Sequence, residues 1–179
     1  MQLSTARPDD TEELGKRLAK RVLLRPHWAR TILLTGELGS GKTTFTRGFA
    51  AGLGISEPIS SPTYALMAEY RLPTGASAAT KFMHIDLYRS DTGSALSAAE
   101  IGESIADPEA ILVIEWPKRL PAEYLPAHHI AVALTPTNEH ERRIEIEFHD
   151  NGVPTEAEID ALHQEFAVPK HVGAHIATV

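Results

Sequence analysis

The run Gly36-Glu37-Leu38-Gly39-Ser40-Gly41-Lys42-Thr43 matches the pattern G-x-x-x-x-G-K-[ST] at every fixed position, and it restricts the fold more than any other part of the chain. Such a run needs a strand before it and a helix after it, because the helix must turn its free N–H groups toward an anion around which the loop curls. Glycine lets successive N–H groups point inward where a Cβ would obstruct them. Lys42 then reaches the outer phosphates of a nucleotide, and Thr43 offers a hydroxyl to Mg²⁺. The flanking sequence provides both elements. Thr31-Ile32-Leu33-Leu34-Thr35 is a short apolar run suited to a strand buried on both faces. Phe45, Phe49 and Leu53 then recur every four residues, and Gly54 stands where a helix C-cap is expected.

With 179 residues, of which 42% are hydrophobic, the chain can bury one substantial core. One domain with a short tail is the expectation, divided as a P-loop domain over 1–148 and an extension over 149–179. The absence of cysteine excludes disulfides, thiolate metal sites and cysteine nucleophiles. It fits a reducing compartment, so a cytoplasmic location is expected. The first ten residues lack the apolar run of a signal peptide, and no later segment approaches membrane-spanning length. A formal net charge of -7 argues against autonomous binding to nucleic acid, which rests on a basic face, and any contact with RNA is expected to be indirect. On its own the protein is expected to be monomeric or weakly self-associating.

Asp10 followed by Glu13 reads as an N-cap with a capping-box partner, and Leu14, Leu18, Val22 and Leu23 continue as a helical stripe. Two prolines and two serines make 57–63 a loop. Residues 64–72 and 81–88 read as a hairpin of strands joined by the small-residue stretch 73–80. A helix is expected over 94–105 with Leu96, Ile101 and Ile105 inward, although Gly102 is unfavourable within it. A buried strand follows over 111–114. A second antiparallel pair is expected over 128–134 and 142–148, around a turn at Pro136-Thr137-Asn138-Glu139. The extension reads as a helix over 155–166 with Ile159, Leu162 and Phe166 inward, then a loosely ordered end.

A Mg²⁺ beside the loop needs carboxylate help, and a hydrolytic water needs a group to orient it. Two acids stand at strand ends: Asp86 follows the alternating Phe82-Met83-His84-Ile85, and Glu115 closes the fully apolar Ile111-Leu112-Val113-Ile114, which looks more like a Walker B element. In an open α/β sheet both would face the loop if their strands run parallel to the one before it. Spacing does not decide which serves the metal and which the water. Trp116 reads as a pocket wall or as packing, Glu37 as a water-orienting or solvent-facing acid. His84 reads as a strand-face residue. Arg47 and Arg89 read as surface arginines or phosphate contacts. His128, His129, His163, His171 and His175 lack metal-ligand spacing.

Four motifs in order resemble the bacterial TsaE (YjeE) family of ATPases in tRNA threonylcarbamoyladenosine biosynthesis. They are the loop from Gly36 to Thr44, Ser61-Pro62-Thr63-Tyr64, His84-Ile85-Asp86-Leu87-Tyr88-Arg89, and Ile114-Glu115-Trp116-Pro117. The resemblance covers residues 5–148. It implies an α/β P-loop NTPase fold, with a central parallel sheet flanked by antiparallel strands and helices on both faces. It implies ATP and Mg²⁺ as ligands, held by Glu37, Leu38, Gly39, Ser40, Gly41, Lys42, Thr43, Thr44 and Trp116. Thr43, Asp86 and Glu115 would support the metal, and Glu115, Asp86 and Lys42 hydrolysis. It implies TsaD and TsaB as partners, with ATP hydrolysis resetting their complex.

Two other readings compete. A small-molecule kinase would share the loop but needs an arginine-bearing lid, and no such segment is evident. A nucleotide-gated binding module would hydrolyse only incidentally. A GTPase is disfavoured because the chain contains neither D-x-x-G nor N-K-x-D. Ser61-Pro62-Thr63-Tyr64 is a candidate switch, since a proline-constrained loop bearing hydroxyls can order on Mg²⁺ or a γ-phosphate.

Overall fold

The computed structural model describes residues 1–25, 28–62, 66–75, 78–88, 95–149 and 156–166. In chain order the elements are β1 (Gln2–Thr5), α1 (Pro8–Leu24), β2 (Thr31–Thr35), α2 (Lys42–Gly52), β3 (Met67–Arg71), β4 (Lys81–Asp86), α3 (Ala95–Ala106), β5 (Ala110–Glu115), β6 (His129–Pro136), β7 (Arg142–His149) and α4 (Glu156–Phe166). The strands form one sheet in the order β1-β7-β6-β2-β5-β4-β3. Its centre is parallel: β2 pairs with β5 and β6, and β4 pairs with β5. Each flank is antiparallel, with β3 on β4 at one edge and β7 then β1 beyond β6 at the other. This is the expected architecture.

Side chains alternate across a strand, and that period sorts the core into two layers. Ile32, Leu34, Phe82, Ile111, Val113, Ile130 and Val132 face α1, α2 and α4. Leu33, Met83, Ile85, Leu112 and Ile114 face the other way, with Ile101 of α3. Leu162 and Phe166 of α4 are buried in the first layer, while Leu96 and Ile159, also expected inward, lie outside the described side chains.

Helices α1 and α2 approach closely enough for backbone to touch backbone. A Cβ on Gly48 would fall 1.8 Å from the Glu12 carbonyl oxygen, and one on Gly15 would fall 2.3 Å from that of Phe45. The end of α2 follows expectation: Gly54 adopts φ +87°, its N–H donates to Ala51 O, and that of Ile55 donates to Ala50 O. This pair of bonds satisfies the last carbonyls of the helix.

Three expectations need correction. Asp10 is not the N-cap of α1; the helix begins at Pro8, and Asp10 sits in its first turn, where its carboxylate accepts N–H bonds from Ala6 and Arg7 at 3.0 Å each. The proline at the first position sets φ for a helix and lacks the N–H that would have gone unpaired. Strand β1 is missed by the sequence reading, because four residues at a sheet edge show too little alternation. The strand read over 81–88 ends at Asp86, where the Tyr88 N–H turns back to donate to Asp86 Oδ1 at 3.0 Å.

Candidate functional site

At the C-terminal end of β2 the chain enters three glycines in left-handed conformations, Gly36 at φ +145°, Gly39 at +77° and Gly41 at +104°. Gly36 also has no room for a side chain: a Cβ would meet Leu134 O at 2.4 Å. From the first residue of α2, Lys42 folds over the loop. Its Nζ donates to Gly36 O at 3.0 Å and Glu37 O at 2.9 Å, and stands 4.0 Å from the centre of the Trp116 ring. Burial lowers the Lys42 pKa from its ordinary value, while the charges of Glu115 and Asp86 oppose that shift. The ammonium is thus held, partly desolvated, between an aromatic face and two acids.

Both acids arrive where strand polarity requires. Asp86 and Glu115 are direct partners in the parallel register of β4 and β5, and both ends lie beside the loop. Period-two alternation places Phe82, His84 and Asp86 on the α2 side of β4, and Ile111, Val113 and Glu115 on the same side of β5. Asp86 Oδ2 accepts the Ser61 hydroxyl. Glu115 is almost fully buried and receives side chains from two elements: Thr43 and Thr46 of α2, at 3.4 and 3.1 Å, and His84 Nε2 of β4 at 3.0 Å. His84, read from sequence as a strand-face residue, lies wholly buried against this acid. Thr46 was missed altogether. The signal for it is the helical repeat, since residue 46 falls one turn beyond Thr43 on the face of α2 that meets the sheet.

Trp116 follows Glu115 with a left-handed backbone, φ +60° and ψ +47°, costing about 1–2 kcal/mol in a residue with a Cβ. That turn lays the indole over Lys42 and 5.1 Å from the Tyr88 ring. A cleft of about 770 Å³ opens between these groups, lined by Leu38, Gly39, Gly41, Lys42, Thr43, Thr44, Ser61, Pro62, Leu66, Asp86, Tyr88, Glu115 and Trp116. Two of the expected ligand residues do not line it. Glu37 contributes its carbonyl to Lys42 while its side chain is exposed, and Ser40 is buried beneath the loop. Arg47 Nη2 donates to Thr44 Oγ1 at 3.1 Å on the surface. Thr63, Tyr64 and Arg89 lie outside the described residues.

The family model for the threonylcarbamoyl adenosine biosynthesis protein TsaE matches residues 5–144. The chain belongs to the TsaE family. Among similar TsaE proteins, that of Nostoc sp. PCC 7120 is 43% identical over 120 residues, covering 64% of this chain and 68% of the relative. That of Bacillus subtilis strain 168 is 30% identical over 141 residues, covering 78% and 80%. The crystal structure of Bacillus subtilis YdiB superposes with a TM-score of 0.68 at 25% identity, across 92% of this chain and 95% of that one. The TsaE match ends two residues after Arg142, and this arginine reaches the loop: its Nε donates to Ser40 O at 3.1 Å.

Chemically, the cleft offers a glycine loop at a helix N-terminus, one ammonium, the hydroxyls of Thr43, Thr44, Ser61 and Tyr88, and two acids. Among the described residues no group of three or more His, Cys, Asp and Glu assembles into a metal site of its own. The donors present, Thr43 with Asp86 and Glu115, fit a Mg²⁺ that takes its remaining oxygens from water and a phosphate. No described helix is long and apolar enough to cross a membrane.

Proposed function

We propose that this protein binds ATP with Mg²⁺ in the cleft and hydrolyses it, as an accessory protein in the formation of threonylcarbamoyladenosine on tRNA, acting on the TsaB-TsaD pair. The observation that carries this reading is the convergence, on one cleft, of the glycine loop, Lys42, Thr43 and the paired acids Asp86 and Glu115. Membership of the TsaE family supports the biological setting.

The roles follow from position. Loop N–H groups and Lys42 hold the β- and γ-phosphates, with Lys42 leaving its carbonyl contacts for stronger charge-assisted bonds to phosphate oxygens. Thr43 and the acids hold Mg²⁺, which when bound neutralises charge developing on the phosphates. Glu115 or Asp86 orients the attacking water. Trp116 and Tyr88 form an aromatic wall, excluding bulk water from one side of the site.

The test is calorimetry with ATP and Mg²⁺, followed by turnover with and without TsaB and TsaD, on wild type and Lys42→Ala. Lys42→Ala is expected to weaken ATP binding about 100-fold, the effect of removing one partner of a buried charge-assisted contact worth roughly 3 kcal/mol. Unchanged affinity and turnover in that variant would refute the role assigned to Lys42.

A further inference from the structure

We propose that His84 is the positioning residue that holds the Glu115 carboxylate with one oxygen toward the cleft, a reading that rests on the hydrolytic function proposed above. The ring and the carboxylate are both buried, at 0% and 2% side-chain exposure, and their contact, Nε2 to Oε1 at 3.0 Å, is direct. Thr46 Oγ1 approaches the same oxygen at 3.1 Å while also standing 3.1 Å from the Lys42 carbonyl, so its single proton is shared. With hydrogen on Nε2, His84 is the committed donor to Oε1. Among the described residues the second oxygen, Oε2, meets only the Thr43 hydroxyl, at the long distance of 3.4 Å.

The other ring nitrogen shows what the arrangement is for. Among the described residues, His84 Nδ1 is a buried side-chain polar atom with no hydrogen-bond partner. A histidine kept only for core stability would gain by pairing both nitrogens or by yielding to an apolar side chain. Here the one hydrogen bond that the ring makes among the described residues goes to Glu115. Of the two tautomers, the one with hydrogen on Nε2 gives the carboxylate a donor and leaves Nδ1 a bare acceptor. The opposite tautomer would bury an unpaired N–H and turn a lone pair toward the acid, which is worse on both counts.

The consequence is an asymmetric acid. With Oε1 tied to His84 on the neighbouring strand, rotation about the Glu115 side chain is restrained, and Oε2 is presented toward Thr43 and the cleft. Orientation fixed before substrate arrives is the kind of preorganisation that lowers a barrier without adding affinity. His84 touches neither substrate nor metal in this scheme; it acts through Glu115.

Two measurements test this on the full chain. In nitrogen-labelled wild type without nucleotide, long-range proton–nitrogen spectra should show His84 as the Nε2–H tautomer, with its resonance displaced in Glu115→Ala. A Nδ1–H tautomer, or a resonance indifferent to Glu115, overturns the proposal, whatever the variants do. In kinetics, His84→Leu should lower turnover about 10- to 100-fold, as loss of outer supporting contacts does, while calorimetric affinity for ATP and Mg²⁺ holds. His84→Gln, whose terminal amide can donate near the Nε2 position, should recover much of the loss. Unchanged turnover in His84→Leu, or equal losses in both variants, counts against the idea. Failure of wild type to bind or hydrolyse ATP would instead defeat the proposed function, leaving the spectra to judge the His84 and Glu115 arrangement.

Discussion

At the scale of single residues, the proposed function divides the cleft between groups that chiefly hold the nucleotide and groups that chiefly serve hydrolysis. Lys42 lies over the loop carbonyls and Trp116, so it belongs to holding; Glu115 sits one strand away with an oxygen toward Thr43. Glu115→Ala is therefore expected to lower hydrolysis more than ATP affinity, checked by measuring both on the same preparation. Equal loss of both would make Glu115 a metal or structural residue. The place of these residues in the cleft is legible because each announces itself locally, Lys42 by a fixed motif, Asp86 at the end of an alternating strand and Glu115 at the end of an apolar one. That of His84 and Thr46 is not. Their contact with Glu115 depends on the β4 and β5 register and on the height of α2 above the sheet, and neither quantity is written in local spacing.

At the scale of elements, the seating of α2 against α1 is what sets the loop over the strand ends. Gly48→Ala would ordinarily favour a helix by about 1 kcal/mol. Here the added Cβ would meet the Glu12 carbonyl at 1.8 Å, so overpacking by about 1–3 kcal/mol should prevail. Thermal unfolding is expected to show net destabilisation, and a Tm at or above wild type would mean the helices separate freely. Sequence alone presents a glycine within a helix as a propensity cost, because a close approach needs the partner helix to be seen. At the far flank, the rings of His129 in β6 and His149 in β7 stack 4.4 Å apart. Burial, aided by the neighbouring His149, lowers the His129 pKa below its ordinary 6.5, against a bond to Pro126 O that raises it. The unfolded chain then binds the proton more readily, so stability present above pH 6.5 declines as pH falls from that value toward the depressed folded one. Unfolding midpoints followed across this window should fall less in His129→Gln than in wild type; parallel declines would assign the effect to other groups.

At the scale of the whole molecule, the protein brings the glycine loop, Lys42 and two acids to one cleft but sets no arginine into its wall among the described residues. Arg142 reaches the loop from β7, yet its Nε is spent on Ser40 O and its Nη1 on the carbonyls of Asn138, Glu139 and Glu141. That arrangement braces the loop from behind instead of reaching a transferred phosphoryl group. An arginine supplied from outside contributes about 10³ to 10⁵ in rate to hydrolysis in comparable enzymes. The rim is suited to receiving a partner, since Leu38 at the loop tip is 70% exposed and Tyr88 lies half-open beside it. Slow turnover by the isolated chain and a marked rise on adding TsaB and TsaD are therefore expected. The net charge of -7 makes tRNA alone a poor stimulant, because its phosphates would be repelled. Turnover measured in four mixtures, the protein by itself, with tRNA, with TsaB and TsaD, and with all three, separates these effects. A rate in the first mixture equal to that in the third would show that the chain completes its own site, and stimulation by tRNA alone would move the missing contact from protein to nucleic acid.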